Sequence, residues 1–214
     1  MDTAYLTSAY LPSVHYFCKL YHFPQAVIES HCNFLKQTYR NRCNIATTHG
    51  AMTLSIPVER TLEAKCLTKD IRIADHDNWQ HLHWQAIVSA YNNTPFFEYY
   101  RDDFEPFYHK KFEFLFDFNE SLRELLMQNL DIETVVAHSE TYRKELGTND
   151  FDFREAIHPK KDFVLDMDFH PTPYYQVFDR QQGFLPNLSV IDLLFNCGPE
   201  SVLILRDSHQ SHRL

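Results

Sequence analysis

The first thirty residues restrict the fold more than any other stretch of the chain. Thr3 to Pro12 (TAYLTSAYLP) begins as a short strand-like run and stops at a proline. Ser13 to Phe23 (SVHYFCKLYHF) then sets Val14, Phe17, Cys18 and Tyr21 at helical spacing, behind a serine suited to cap the first turn. Pro24 ends that pattern, and Ala26 to Ser30 (AVIES) is short and β-branched. Strand, helix and strand in this order start an α/β sheet. The expected fold class is α/β: a single domain with an open mixed or mostly parallel sheet and helices on both faces.

The later segments fit that frame. Arg42 to Val58 reads as a hairpin in which Gly50 supplies the positive φ of the turn, and Lys69 to Ile73 (KDIRI) as another short strand. A helix over about 77–91, capped by Asp77 or Asn78, carries an apolar stripe of Trp79, Leu82, Ala86, Ile87 and Ala90. Residues 96–129 are helical and aromatic with a break at Pro106, and residues near 133–137 form a strand. Residues 140–170 are polar and poorly periodic, which predicts an extended, loop-rich segment. The closing pattern, Leu188 to Ser201, is a helix capped by Asn187 or Ser189 and ended by Gly198, with Pro199 opening one more turn. The domain is expected to span 1–205 and a frayed tail 206–214. A central sheet of about five strands should include residues near 3–7, 26–30, 44–48, 52–57 and 133–137.

Composition narrows the function. With 214 residues, 44% of them apolar, the chain can bury one sizeable core. A net charge of −9 without a basic run disfavours nucleic acid and anionic membranes as partners. The four glycines, Gly50, Gly147, Gly183 and Gly198, lie too far apart for any glycine-rich phosphate loop. A phosphate site must therefore rest on side chains or on a helix N-terminus. The five cysteines include no C-x-x-C pair, and no apolar run approaches a bilayer span, so a cytoplasmic protein without a membrane span is expected. No cofactor and no metal site is expected either. His81 and His83 are two apart on a helix and do not share a face.

Gln37 to Ile45 (QTYRNRCNI) holds the strongest candidate chemistry. In an extended segment, Arg40 and Arg42 point to one face, and two guanidiniums there need an anion between them. That anion is either a ligand phosphate or carboxylate, with Asn44 alongside, or an internal carboxylate such as Glu29, Asp70 or Asp192. His15 lies in the first turn after strand one, where α/β folds bind ligands and where helix N–H groups attract anions. It is a candidate general base, or else a partly exposed surface histidine. Asp192 and Asn196 share a face of an otherwise apolar helix, so the carboxylate needs a partner. Arg40 or Arg42, with Gln176 and Tyr175 nearby, would form a core ion pair or the polar floor of a pocket. Cys43 beside Arg42 is either a nucleophile or a packing thiol.

Ala9–Phe17 (AYLPSVHYF), Lys36–Ile45 (KQTYRNRCNI) before Leu54–Val58 (LSIPV), and Tyr174–Phe178 (YYQVF) before Gly183–Ser201 (GFLPNLSVIDLLFNCGPES) are in an order and spacing that resemble the WbqC-like family. WQHLHWQAI (79–87) and SAYNNTPFFEYY (89–100) fit the middle of that pattern. The similarity runs from about residue 4 to 205, and residues 143–163 resemble its shorter branch, typical of Bacteroidetes. The resemblance implies a bacterial protein of surface-polysaccharide (O-antigen-type) biosynthesis. It implies an acyl- or aminoacyl (glycyl) transferase acting on a nucleotide-linked amino sugar, or a non-catalytic ligand-binding or scaffold protein that keeps an anion pocket. The partner implied is a small molecule such as a sugar nucleotide. On that reading His15 and Asp192 are the catalytic candidates, and Arg40, Arg42, Asn44, Gln176 and Asn196 hold phosphate and substrate.

Overall fold

A computed structural model describes residues 1–59 and 65–210. The elements in chain order are β1 (Thr3–Thr7), α1 (Val14–His22), β2 (Gln25–Glu29), β3 (Arg42–Thr47), β4 (Gly50–Ser55), α2 (Trp79–Tyr91), α3 (Phe97–Phe104), α4 (Leu115–Asn129), β5 (Val135–His138), β6 (Asp150–Asp152), α5 (Asp179–Gln182), α6 (Val190–Cys197) and α7 (Ser201–Asp207). The opening unit forms as its proline punctuation predicts. β1 and β2 pair in parallel, with Thr3 opposite Gln25 and Thr7 opposite Glu29, and α1 crosses between them. β5 joins the free edge of β2 and β6 that of β1, both in parallel, giving the order β5-β2-β1-β6. β1 is buried at four of its five positions, so both faces of this strand are covered. The result is an α/β domain on a parallel sheet.

Two expectations about the sheet need correction. The hairpin of β3 and β4 forms with Gly50 at φ 104°, but as its own two-stranded antiparallel sheet. The edge of the parallel sheet beside β1 is taken by β6, three residues within the segment read as loop. KDIRI is a 3-10 turn at Thr68–Asp70 followed by isolated bridges, not a strand. α7 runs to Asp207, Ser208 is buried, and His209 bridges to Phe169. Residues 211–214 lie outside the described residues.

α2 turns inward the face that its apolar stripe marks, with one exception. Trp79 and Ile87 are buried as expected, but Leu82 is 57% exposed. Its place is taken by His83, whose Nδ1 lies 3.0 Å from the Tyr10 hydroxyl. Burial pushes the His83 imidazole down to about 4, so the ring is neutral and behaves as a core aromatic. α6 ends at Gly198, φ 55°, where a Cβ would come within 2.6 Å of the Phe96 ring, so no other residue closes this helix without moving that ring.

Candidate functional site

The parallel strands all finish on one edge, and a cavity of about 440 Å³ opens there. His31 and Cys32 reach it from the turn after β2, and Arg154 and Glu155 from the turn after β6. Arg40 arrives from the opposite side. Its loop is tied to the end of β1 by Tyr10 N–H donating to the Tyr39 carbonyl at 2.9 Å. Asn119 of α4 donates to the Arg40 carbonyl at 2.8 Å, fixing the backbone that carries the guanidinium.

The two arginines on this cavity are in opposite electrostatic states. Arg154 is saturated: Nε and Nη2 grip the two oxygens of Asp152 at 2.8 and 2.7 Å, and Nη1 reaches Glu29 at 3.2 Å and the Arg143 carbonyl at 2.9 Å. Tyr142 and Tyr5 place their rings 4.9 and 5.7 Å from its central carbon. The hydrogen bonds to Asp152 raise the Arg154 pKa and lower that of Asp152. Glu29, fully buried, also accepts from the His31 N–H at 2.8 Å and the Ser139 hydroxyl at 2.7 Å.

Arg40 has no such set. Its side chain is 3% exposed, yet Nε has no hydrogen-bond partner. Nη1 and Nη2 make only long contacts, 3.4 Å to the Thr38 hydroxyl and 3.4 Å to the Cys32 sulfur. The nearest carboxylate, Glu155, stands 3.7 Å away and is more than half exposed. A buried guanidinium with free N–H donors facing a cavity is a receptor for an anionic group.

His31 is less free. Lys69 Nζ lies 2.9 Å from its Nε2, and an ammonium can only donate. Nδ1 therefore carries the proton and donates to Ser30 Oγ at 2.9 Å, which in turn donates to the Ser139 carbonyl at 3.1 Å.

Of the seven residues expected at one site, only Arg40 lies on this cavity. Arg42 begins β3 opposite Ser55 and is not among the residues that line this cavity. The reason is local: residues 36–41 form turns with Gln37 at φ 62°, so the alternation of an extended segment does not apply. Asn44 accepts from the Thr53 hydroxyl at 2.8 Å, across the hairpin. His15 is buried, stacked on Phe169 with ring centroids 4.3 Å apart. Its Nε2 donates to Asp166 at 2.6 Å, and Lys19 pairs with the same carboxylate at 2.7 Å. Burial lowers the His15 pKa. Burial opposes ionisation of Asp166 too, but hydrogen bonds from His15 and Lys19 outweigh it and hold that carboxyl low.

Nor does the first turn of α1 offer an anion site. The N–H groups of Val14, His15 and Tyr16 donate to the Leu188 carbonyl (2.9 Å), Asn187 Oδ1 (3.0 Å) and Ser13 Oγ (3.4 Å). Asn187 thus serves α1, not the helix that follows it.

Asp192, Gln176 and Asn196 do meet, in an enclosed network without an arginine that leaves Asp192 Oδ1 without a hydrogen-bond partner. Asp192 is fully buried and accepts from the Tyr174 hydroxyl at 2.7 Å and from Gln176 Nε2 at 2.8 Å. Gln176 also bonds both backbone groups of Leu185, and Asn196 Oδ1 accepts from Val177 N–H at 3.2 Å. These bonds pin the 174–185 segment onto α6. Burial raises the Asp192 carboxyl to about 6, against hydrogen bonds from Tyr174, Gln176 and Tyr91. Cys43 is buried, and burial pushes its thiol far up, so it is a packing residue and not a nucleophile.

His31, Cys32, Arg154 and Glu155 were not singled out from the sequence. AVIES reads as the second strand of an α/β sheet, and the rule that ligands bind beyond the carboxyl ends points to His31 and Cys32. Nothing comparable marks Arg154, which follows a three-residue strand in a polar segment.

The chain matches the WbqC-like protein family over residues 7–166 and 153–204. It belongs to the WbqC-like protein family. Among curated proteins it is similar to "Uncharacterized protein Rv1507c" of Mycobacterium tuberculosis (strain ATCC 25618 / H37Rv), 25% identical over 231 aligned positions that cover 97% of this chain and 98% of that one. No solved structure matches. The family match takes in the whole cavity wall, including Arg40 and Arg154. Among the described residues no helix is long and apolar enough to cross a membrane.

Proposed function

We propose that this protein binds a small molecule through one anionic group, a phosphate or a carboxylate, held by Arg40 in the cavity at the carboxyl edge of the parallel sheet. The observation that carries the reading is the unsatisfied, buried Arg40 guanidinium facing a space of about 440 Å³. That volume is within the range of about 300–1,000 Å³ of small-molecule sites. Arg154 is already neutralised by Glu29 and Asp152, so a single charged group fits better than a fully engaged diphosphate. A nucleotide-linked amino sugar remains within this reading, with one phosphate on Arg40 and the sugar toward Tyr142. So does a role in surface-polysaccharide assembly by acyl or aminoacyl transfer. For such a transfer Cys32 replaces Cys43 as the candidate acceptor, because its sulfur lines the cavity beside Arg40. The five free cysteines support a reducing compartment such as the cytoplasm.

One observation favours binding without turnover. The histidine on the cavity wall, His31, has both ring nitrogens engaged, so no free base stands beside Arg40. Crystals soaked with sugar nucleotides, sugar phosphates and amino acids distinguish these readings. The proposal expects an anionic group within hydrogen-bonding distance of Arg40; density for such a ligand elsewhere, or nowhere, would overturn it. Radiolabel carried on Cys32 after incubation with an activated acyl donor would select the enzyme.

A further inference from the structure

The end of α1 holds a second group of side chains that the cavity does not use. Cys18 and His22 are four apart on α1 and so share one face. α7 packs against that helix, and the chain leaving it brings His209 onto the same spot. His209 is held by its backbone: its N–H donates to the Arg206 carbonyl at 3.3 Å, and Gln210 N–H donates to the Asp168 carbonyl at 3.2 Å. One donor atom from each of Cys18, His22 and His209 lies within 4.8 Å of the others. The two imidazoles stack with centroids 3.9 Å apart. His209 Nδ1 is buried and has no hydrogen-bond partner, which costs free energy unless something accepts its lone pair or takes its proton.

We infer that Cys18, His22 and His209 form a binding site for a divalent transition-metal ion of the zinc class. A thiolate and two imidazoles are a donor set suited to zinc, and three protein ligands leave one position for water. The geometry includes the outer support such sites use: His22 Nε2 donates to the Arg206 carbonyl at 3.3 Å. Cys18 Sγ now donates weakly to the Leu205 carbonyl at 3.5 Å. On binding, the thiol proton is released to solvent and the sulfur lone pair forms the bond to the metal. The nearby cation, Lys19, opposes the ion least where it is, because Asp166 holds it at 2.7 Å. His209 lies beyond the family match, which ends at residue 204, so the site would belong to this chain and not to the family pattern. Spacing alone hides it, since two ligands sit on the first helix and the third near the end of the chain.

Metal-stripped full-length protein titrated with cobalt(II), then competed with zinc, tests the inference. One equivalent of cobalt should produce a sulfur-to-metal charge-transfer band that zinc abolishes. Cys18→Ser should lose the band and Cys66→Ser should keep it. His209→Ala, outside every helix and strand, should weaken binding by at least about a hundredfold, because even loss of an outer partner of a ligand costs about 10–100-fold. No charge-transfer band in wild type, or unchanged affinity in a folded His209→Ala, would leave a plain ring stack over a buried thiol and end the proposal.

Discussion

Arg40 and Asp192 are both buried charges that the sequence puts in apolar company, and the molecule handles them in opposite ways. Asp192 sits in an enclosed internal network where Tyr174 and Gln176 donate to its Oδ2, although Oδ1 has no hydrogen-bond partner and Asp192 does not line the cavity. Arg40 sits at an open edge, with its Nε unpaired and its best carboxylate 3.7 Å away. An enclosed network fixes one segment of chain against another. An open, half-satisfied charge lowers stability and is kept where a ligand completes it. The pairing expected between these two residues is absent because α6 presents Asp192 to the 174–185 segment, while the turn at 36–41 carries Arg40 to the far ends of β2 and β6.

The largest effect that would sharpen this contrast comes from the saturated arginine. Arg154→Ala should cost about 4 kcal/mol in chemical denaturation, because it leaves Glu29 buried without its cation. Next, Asp192→Ala should cost about 3 kcal/mol by stranding the Tyr174 hydroxyl and the Gln176 amide. A loss under 1 kcal/mol (about the net value of one hydrogen bond) would mean that the network is not holding α6.

A smaller effect tests the same network by pH. The folded Asp192 carboxyl titrates at about 6, against a reference of 3.8. Between those values the folded chain keeps a proton that the unfolded chain has lost. The contribution is therefore fully present below about pH 4 and is lost as pH rises through 6. Wild type should lose on the order of 2 kcal/mol over that window relative to Asp192→Asn, measured by urea midpoints across pH. A flat difference would show that Asp192 is ionised throughout. The smallest change is expected at Arg40. Arg40→Met should stay within about 1 kcal/mol of wild type, on the stabilising side, since it removes a buried charge without strong internal partners.

What the sequence made legible follows the same division. The β1–α1–β2 unit could be read because prolines mark both ends of the helix and the strands are β-branched. α6 could be read because Gly198 and Pro199 end it. Leu82 fits the apolar stripe by spacing, yet it is exposed, while His83 beside the stripe is buried against the Tyr10 hydroxyl. β6 escaped because three residues carry no period, and with it went Arg154 and Glu155. At the site, the type of residue was legible at Arg40 but its neighbours were not, since they come from the ends of strands far apart in the chain. Spacing reports that a charge is buried; only the fold reports whether its partner is inside the protein.

The ligand proposed for the cavity requires that Arg40 be completed from outside and not by the protein. Thermal denaturation of wild type and Arg40→Met, each with and without a panel of sugar phosphates, sugar nucleotides and small carboxylates, tests it most directly. The account predicts that the variant alone melts at or above wild type, and that a ligand that raises the wild-type melting temperature leaves the variant unmoved. A variant that melts as far below wild type as Asp192→Ala does, with no anionic ligand shifting either protein, would make Arg40 a structural brace and contradict the account.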